Sequence, residues 1–149
     1  AAALGPTLAA RRQYHTDQVL FCPGGEVQET GAANFLLVRD GKILTRGLDS
    51  TFLHGVTRDS LLTLAPDLGY TVEERIVTVE ETLEWVASGE AALSGTAAVL
   101  AGVGTLIWQG REVRVADGGV GPVTQALRAA LVDVQRGTTA DRFGWLTPV

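Results

Sequence analysis

The sequence predicts a mixed α/β (α+β) fold in a single domain that covers residues 1–149. A chain of 149 residues has the size of one domain, and 46% hydrophobic with 19% charged residues suits a packed core. Short apolar runs between glycine, proline and Asp-Gly turns alternate with stretches of helical periodicity. Because strands and helices mix irregularly, the pattern differs from the steady alternation of a doubly wound sheet.

Helices are expected where capping residues precede apolar positions at helical spacing. Pro6 lies near the start of the first helix, and Thr57 is a suitable N-cap for the second. Pro66 lies inside the second helix, where it removes a hydrogen bond and favours an early end. Gly121-Pro122 opens the last helix. The predicted helical spans are 6–15, 57–68, 79–87 and 123–136.

Strands are expected where short apolar runs lie between turn signals. Asp40-Gly41 predicts a hairpin turn shortly after the buried strand "NFLLV". Pro23-Gly24-Gly25 predicts a turn that lets two short strands pair back on each other. The predicted strands are 18–22, 26–29, 34–38, 43–45, 71–79, 90–95, 97–108 and 112–116, with glycines interrupting the longer runs.

Composition limits the kinds of partner. The net charge of −5 argues against nucleic acid, because nucleic-acid binding depends on clustered lysine and arginine. The single cysteine, Cys22, excludes an internal disulfide framework and fits a reducing, cytoplasmic setting. No apolar stretch has the length of a membrane-spanning helix, and two histidines with one cysteine do not make a convincing metal-ligand set.

Three segments carry groups suited to a ligand. Gly55, Val56 and Thr57 lie at a predicted helix start, where free N–H groups bind phosphate; an ordinary threonine-capped helix is the alternative. Residues 94–98 ("SGTAA") end a strand with small side chains, which either admit a ligand to the backbone or allow close packing. Glu29 ends a strand beside small residues, and its carboxylate either holds a positively charged ring nitrogen or is exposed to solvent.

The order and spacing of five segments resemble the C-terminal half of branched-chain amino-acid aminotransferases, which are fold-type IV enzymes dependent on pyridoxal 5′-phosphate. The resemblance covers residues 4–149, and its specificity comes from the segments together. It implies a large cofactor-binding domain with a barrel-like mixed sheet and flanking helices, and a homodimer. The segments are "ETGAANF", "LHGVTRDSLLTLA", "SGTAAV", "GPVTQALRAAL" and "RFGWLTPV".

The resemblance also implies roles for individual residues at the cofactor. Glu29 matches the glutamate that pairs with the pyridine nitrogen, whose protonation makes the ring an electron sink. Leu53 matches the residue packed against the ring. Gly55, Val56 and Thr57 match the phosphate cup.

Further roles follow from the same resemblance. Thr96 matches a second phosphate contact, and the backbone at Thr96 and Ala97 matches the position of the substrate carboxylate. Ala32 lies where relatives often have threonine, so one hydroxyl on the cofactor side is expected to be missing. Asn34 is expected to be structural, and His54 is expected to have a local structural role.

Catalysis in this family requires a lysine that binds the cofactor covalently and moves the substrate proton. The resemblance puts it about two residues before Ala1, and it puts a family tyrosine at Leu4. The chain has one lysine, Lys42, which is expected to be solvated beside its hairpin, and no methionine. We therefore predict no catalytic residue within this chain. We favour an upstream part, which would hold the lysine and the family's smaller N-terminal domain, over a processed or engineered N-terminus.

The resulting functional hypothesis is amino transfer between Leu, Ile or Val and 2-oxoglutarate, with this chain inactive by itself. One alternative is a lysine-less homologue that only binds a ligand or partner. The other keeps the fold and cofactor but acts as a D-amino-acid aminotransferase or an aminodeoxychorismate lyase. The segments "GVTRDSLLTLA" and "GWLTPV" favour the branched-chain group.

Overall fold

The computed structural model describes residues 3–147, and within them it shows a mixed α/β fold with four helices and seven strands. The helices are α1 (Leu4–Tyr14), α2 (Val56–Leu64), α3 (Val79–Val86) and α4 (Pro122–Gln135). The strands are β1 (Asn34–Arg39), β2 (Lys42–Arg46), β3 (Thr71–Arg75), β4 (Glu90–Gly95), β5 (Val99–Gly102), β6 (Thr105–Trp108) and β7 (Arg111–Arg114).

The main sheet has five strands in the order β3-β2-β1-β4-β5. Strand β1 lies in its centre and pairs antiparallel with both β2 and β4, whereas β2 and β3 pair in parallel through the crossover that contains α2. Asp40 and Gly41 form the predicted hairpin turn with φ angles of 52° and 74°, the left-handed conformation that such a tight turn requires. Strands β6 and β7 form a separate hairpin.

Both faces of the main sheet are covered, which explains why residues 35–38 of β1 ("FLLV") are all apolar. Leu36 and Val38 of β1 enter a core shared with α2 and α4. Phe35 and Leu37 point to the other face and pack in a second core, whose members include Trp85 of α3. The first residue of β1, Asn34, therefore lies at one end of a buried central strand.

Helix α2 differs from its prediction at the start and agrees with it at the end. Its N-cap is Gly55, so the prediction that Thr57 caps the helix is wrong: Thr57 already lies in the first turn. The α-helix ends at Leu64, and a 3₁₀ turn over Ala65–Leu68 follows it. This agrees with the effect expected of Pro66 inside a helix.

The two strands predicted before β1 are present only as short bridges. The N–H of Phe21 donates to the carbonyl of Glu29 over 2.9 Å, and the N–H of Gln28 donates to the carbonyl of Phe21 over 2.9 Å. An isolated bridge joins Leu20 and Thr30, and a 3₁₀ turn occupies Pro23–Gly25. The two segments do pair back on each other, but too briefly to form strands.

The long predicted strand 97–108 is divided between the two sheets. It separates into β5 and β6 at Val103 and Gly104, and a Cβ on Gly104 would lie 2.6 Å from the carbonyl oxygen of Gly118. The two sheets of residues 3–147 are open, so these residues do not form the closed barrel that a barrel-like sheet suggests. Within the same residues, no helix has the length and apolar character needed to cross a membrane.

Candidate functional site

Hydrogen bonds bring Glu29 and Leu53 together at one end of β1. The N–H of Leu53 donates to Oε1 of Glu29 over 3.3 Å. Asn34 donates from Nδ2 to Oε2 of Glu29 over 3.2 Å and to the carbonyl oxygen of Leu53 over 2.9 Å. Glu29 is thus held against the loop that leads into α2, although 24 residues separate it from Leu53.

Gly55, at the start of α2, borders the corner formed by Glu29, Asn34 and Leu53. A Cβ at this position would lie 2.2 Å from Oδ1 of Asn34, so only glycine fits without displacing the amide. The φ angle of Gly55 is −66°, which any residue can adopt. The sequence predicts Gly55 as part of a phosphate site, and the structure shows that Asn34 occupies the space that a side chain at Gly55 would need.

The start of α2 has no side-chain cap, in contrast to α3 and α4. The Thr78 hydroxyl accepts from the N–H of Glu81 at the start of α3. The Glu90 carboxylate accepts from the N–H groups of Val123 and Thr124 at the start of α4, over 2.9 and 2.8 Å. The amide N–H groups in the first turn of α2 therefore carry partial positive charge and can bind an anion. The start of α4 binds the Glu90 carboxylate in this way.

The electrostatics of Glu29 favour a positively charged partner. Loss of solvent on burial raises the pKa of the Glu29 carboxyl above its ordinary value, and the hydrogen bond from the Leu53 N–H acts in the opposite direction. A carboxyl group in this situation becomes ionised more readily when a cation lies beside it. The Leu53 side chain next to it is 73% exposed and offers an apolar surface.

Thr96 and Ala97 lie at the same end of the sheet, in the exposed turn between β4 and β5. Ser94 of β4 pairs with Asn34, and a Cβ on Gly95 would lie 3.1 Å from the carbonyl oxygen of Ala32. The turn is therefore next to the loop that follows Glu29. Within residues 3–147, however, no hydrogen bond joins Thr96 or Ala97 to Glu29 or Leu53.

Other residues considered from the sequence make local contacts. Lys42 lies at the opposite end of the β1–β2 hairpin, and its Nζ is 3.1 Å from Oε2 of Glu73. The Nε2 atom of His54 is 2.7 Å from the carbonyl oxygen of Asp49. Residues 1, 2, 148 and 149 lie outside the described part of the chain, and the last two of them belong to the segment "RFGWLTPV".

Sequence reasoning missed Arg58, which fixes α2 on the sheet. Its side chain is 2% exposed, and Nη2 donates to the Arg46 carbonyl over 2.9 Å and to Oε2 of Glu74 over 2.5 Å. The helical spacing offered a signal, because Arg58 shares one face of α2 with Leu61, Leu62 and Ala65, which are buried. A charged residue at such a position requires a partner from a neighbouring element.

Comparison of the chain with known proteins shows the family to which it belongs. Residues 5–105 match the amino-transferase class IV family, and the chain belongs to this family. A probable branched-chain-amino-acid aminotransferase of Staphylococcus epidermidis is 40% identical over all of this chain and 43% of its own length. One of Streptomyces coelicolor is 45% identical over 87% of this chain and 38% of its own length.

Solved structures agree with this membership. The branched-chain amino acid aminotransferase of Escherichia coli superposes with a TM-score of 0.80 at 30% identity, over 93% of this chain and 45% of that one. The Thermobaculum terrenum enzyme in its PLP-form superposes with a TM-score of 0.81 at 32% identity, over 95% of this chain and 45% of that one. The chain spans less than half the length of the relatives it matches.

Proposed function

We propose that this chain forms the cofactor-binding domain of an enzyme that transfers the amino group between branched-chain amino acids (Leu, Ile and Val) and 2-oxoglutarate, with pyridoxal 5′-phosphate as cofactor. The observation that carries the proposal is the corner in which the Glu29 carboxylate is hydrogen-bonded to the loop entering the uncapped start of α2. The names of the relatives from S. epidermidis and S. coelicolor support the substrate class.

The residues of the corner fit two of the polar groups of pyridoxal 5′-phosphate, the pyridine nitrogen and the phosphate. The Glu29 carboxylate, whose pKa burial raises, is suited to hold a proton on the pyridine nitrogen. The free amides of α2, with the Thr57 hydroxyl, suit the phosphate, and Val56 contributes its backbone to this cup. Leu53 offers its exposed side chain to the ring. When bound, the cofactor supplies an electron-accepting ring that stabilises negative charge on the substrate carbon.

We assign the substrate carboxylate to the turn at Thr96 and Ala97, and we assign a second phosphate contact to Thr96. This turn is exposed, so its backbone amides are accessible to an anion. It also adjoins the loop after Glu29 through the packing of Gly95 against Ala32. The substrates would thus meet the cofactor at the end of β1 and β4.

The proposed reaction also needs a lysine, and Lys42 is not suited to the role. It is ion-paired with Glu73, and five strand steps, about 17 Å, separate the two ends of the β1–β2 hairpin. We therefore place the lysine upstream of residue 1, as the resemblance implies. We further propose that residues 1–149 form a single domain and that the protein is a homodimer located in the cytoplasm, which the family resemblance and the single cysteine support.

The first test is a comparison of amino donors with the purified protein that carries this chain, loaded with pyridoxal 5′-phosphate. We expect glutamate to form from Leu and 2-oxoglutarate, and little product from D-Ala or aminodeoxychorismate. Activity on D-Ala with none on Leu would show a different reaction on the same fold. Tight cofactor binding without amino transfer from any donor would favour the alternative of a binding protein.

A second test locates the lysine. Borohydride reduction of the loaded protein fixes the cofactor to its lysine, and peptide mass analysis then identifies that residue. We expect one adduct per chain, on a peptide outside residues 1–149, and the same adduct in the control variant Lys42→Arg. An adduct on Lys42 that is lost in this variant would contradict the assignment.

A further inference from the structure

Asn34 touches all three elements of the candidate cofactor corner. It is 5% exposed and begins β1, where its backbone pairs with Ser94 of β4. Its side chain contacts the residue predicted for the ring nitrogen, Glu29, and the residue predicted for the ring face, Leu53. It also fills the space in front of Gly55, the N-cap of the helix predicted to bind phosphate.

The chemistry of these contacts fixes the orientation of the amide. Both neighbours of Nδ2 are acceptors, namely Oε2 of Glu29 at 3.2 Å and the Leu53 carbonyl oxygen at 2.9 Å. The two hydrogens of the amide nitrogen are thus used, and Oδ1 faces Gly55. An Asp side chain at this position would have the same shape but would present an acceptor and a negative charge to Glu29.

Asn34 is held in place by the main sheet, and a residue that positions others must itself be fixed. It lies in the central strand, and the next residue, Phe35, accepts a hydrogen bond at its carbonyl from the buried Thr45 hydroxyl over 2.8 Å. The two segments it contacts are loops, one before β1 and one before α2. The rigid partner is therefore the strand, and the loops take their positions from it.

We propose that Asn34 is a positioning residue that sets the distance between the Glu29 carboxylate and the start of α2, and so matches the corner to the ring nitrogen and the phosphate of one rigid cofactor. This inference rests on the proposed function. The nitrogen and phosphate belong to one small molecule, so their partners have to stand at a fixed separation. A single buried amide bonded to both sides supplies that separation.

The test compares Asn34→Ala and Asn34→Asp with a matched control, Thr45→Val. The control removes a buried hydrogen bond from the same hairpin without touching Glu29 or Leu53. The first readout is the Glu29 carboxyl pKa, measured by ¹³C NMR on the full chain without cofactor. We expect an upward shift in Asn34→Ala, because a donor to the ionised form is lost, and a larger one in Asn34→Asp, because a like charge is added.

The second readout is the dissociation constant of pyridoxal 5′-phosphate, measured by absorbance on the complete protein. We expect it to rise about tenfold in Asn34→Ala, the effect of losing one hydrogen bond to a charged group. Thr45→Val should lower the melting temperature and leave both readouts unchanged. If Asn34→Ala behaves as Thr45→Val does, Asn34 is only structural and the inference is overturned.

A second variant covers the case in which Asn34→Ala does not fold. Gly55→Ala keeps Asn34 but pushes a Cβ against its Oδ1, so it should produce the same two changes. The NMR titration also separates this inference from the proposed function. If the Glu29 pKa shifts in the variants while the wild-type protein fails to bind pyridoxal 5′-phosphate, the proposed function fails and the positioning of Glu29 stands. If the wild-type protein binds the cofactor but the Glu29 pKa is unchanged in the variants, the proposed function stands and the positioning role of Asn34 fails.

Discussion

Glu90 offers the sharpest stability test, because one carboxylate connects β4 to the start of α4. It accepts from the N–H groups of Val123 and Thr124 and from the Thr124 hydroxyl, the last over 2.7 Å. Replacement by alanine removes a helix cap, at a cost of about 1 kcal/mol. It also leaves the Thr124 hydroxyl, which is 1% exposed, without its partner, at a cost of about 1–3 kcal/mol.

Glu90→Ala is therefore expected to lower the free energy of unfolding by about 2–4 kcal/mol. Urea denaturation of the wild type and the variant measures this difference. Glu90→Gln should have an intermediate effect, since its amide oxygen still accepts but its NH₂ group faces the helix donors. Glu112, an exposed residue of β7, provides the control Glu112→Gln, which should change stability by less than about 0.5 kcal/mol.

A double-mutant cycle with Thr124→Val shows whether the reasoning is right. The hydroxyl is absent in Thr124→Val, so Glu90→Ala should cost about 1–3 kcal/mol less in that background. A loss below about 0.5 kcal/mol for Glu90→Ala in the wild-type background would refute the assignment of Glu90 as the cap of α4. Equal losses in both backgrounds would refute the bond to the buried hydroxyl.

Three further predictions concern the site and the surface. Glu29→Ala should reduce the rate of amino transfer severely with an unchanged circular dichroism spectrum, and turnover equal to wild type would show that another residue holds the ring nitrogen. Thr57→Val should weaken cofactor binding by about 1 kcal/mol in an absorbance titration, whereas Ser60→Ala, one turn further along α2, should not. Hydrogen bonds from Arg75 lower the Glu81 carboxyl pKa below its ordinary 4.5, so the associated stability is present above pH 4.5 and is lost as the pH falls through the folded pKa. Glu81→Gln should therefore unfold more easily than wild type in urea at pH 7, and a difference that persists undiminished at low pH would contradict this.

Local signals were sufficient for much of the fold. Asp40-Gly41 encodes a hairpin turn by itself, since both residues adopt positive φ there. Pro66 ends α2 because its ring and missing N–H act within one turn. The apolar spacing of α4 predicts its buried face, which includes Leu127 and Leu131. These features depend on neighbours in sequence, so the sequence alone shows them.

Contacts between distant segments explain what sequence reasoning did not reach. Glu90 caps α4 across 33 residues, and nothing near Gly121 in sequence shows that a Cβ there would lie 1.9 Å from the Glu90 carboxyl carbon. The need for a glycine at the N-cap of α2 likewise comes from a distant residue, Asn34. For the candidate site, the resemblance named Glu29 and the α2 loop, but the amide that joins them became visible only in three dimensions.

The parallel pairing of β2 with β3 has a consequence for the order of folding. The β1–β2 hairpin closes between adjacent residues and needs no other part of the chain. Pairing of β3 requires the whole crossover with α2 to dock first, and contacts of larger sequence separation form more slowly. Glu29 and Asn34 lie next to the β1–β2 hairpin, which forms early. Leu53 and Gly55 belong to the crossover and reach their positions only when it docks. The contacts of Leu53 with Glu29 and Asn34 therefore form after the β1–β2 hairpin, together with the β2–β3 crossover.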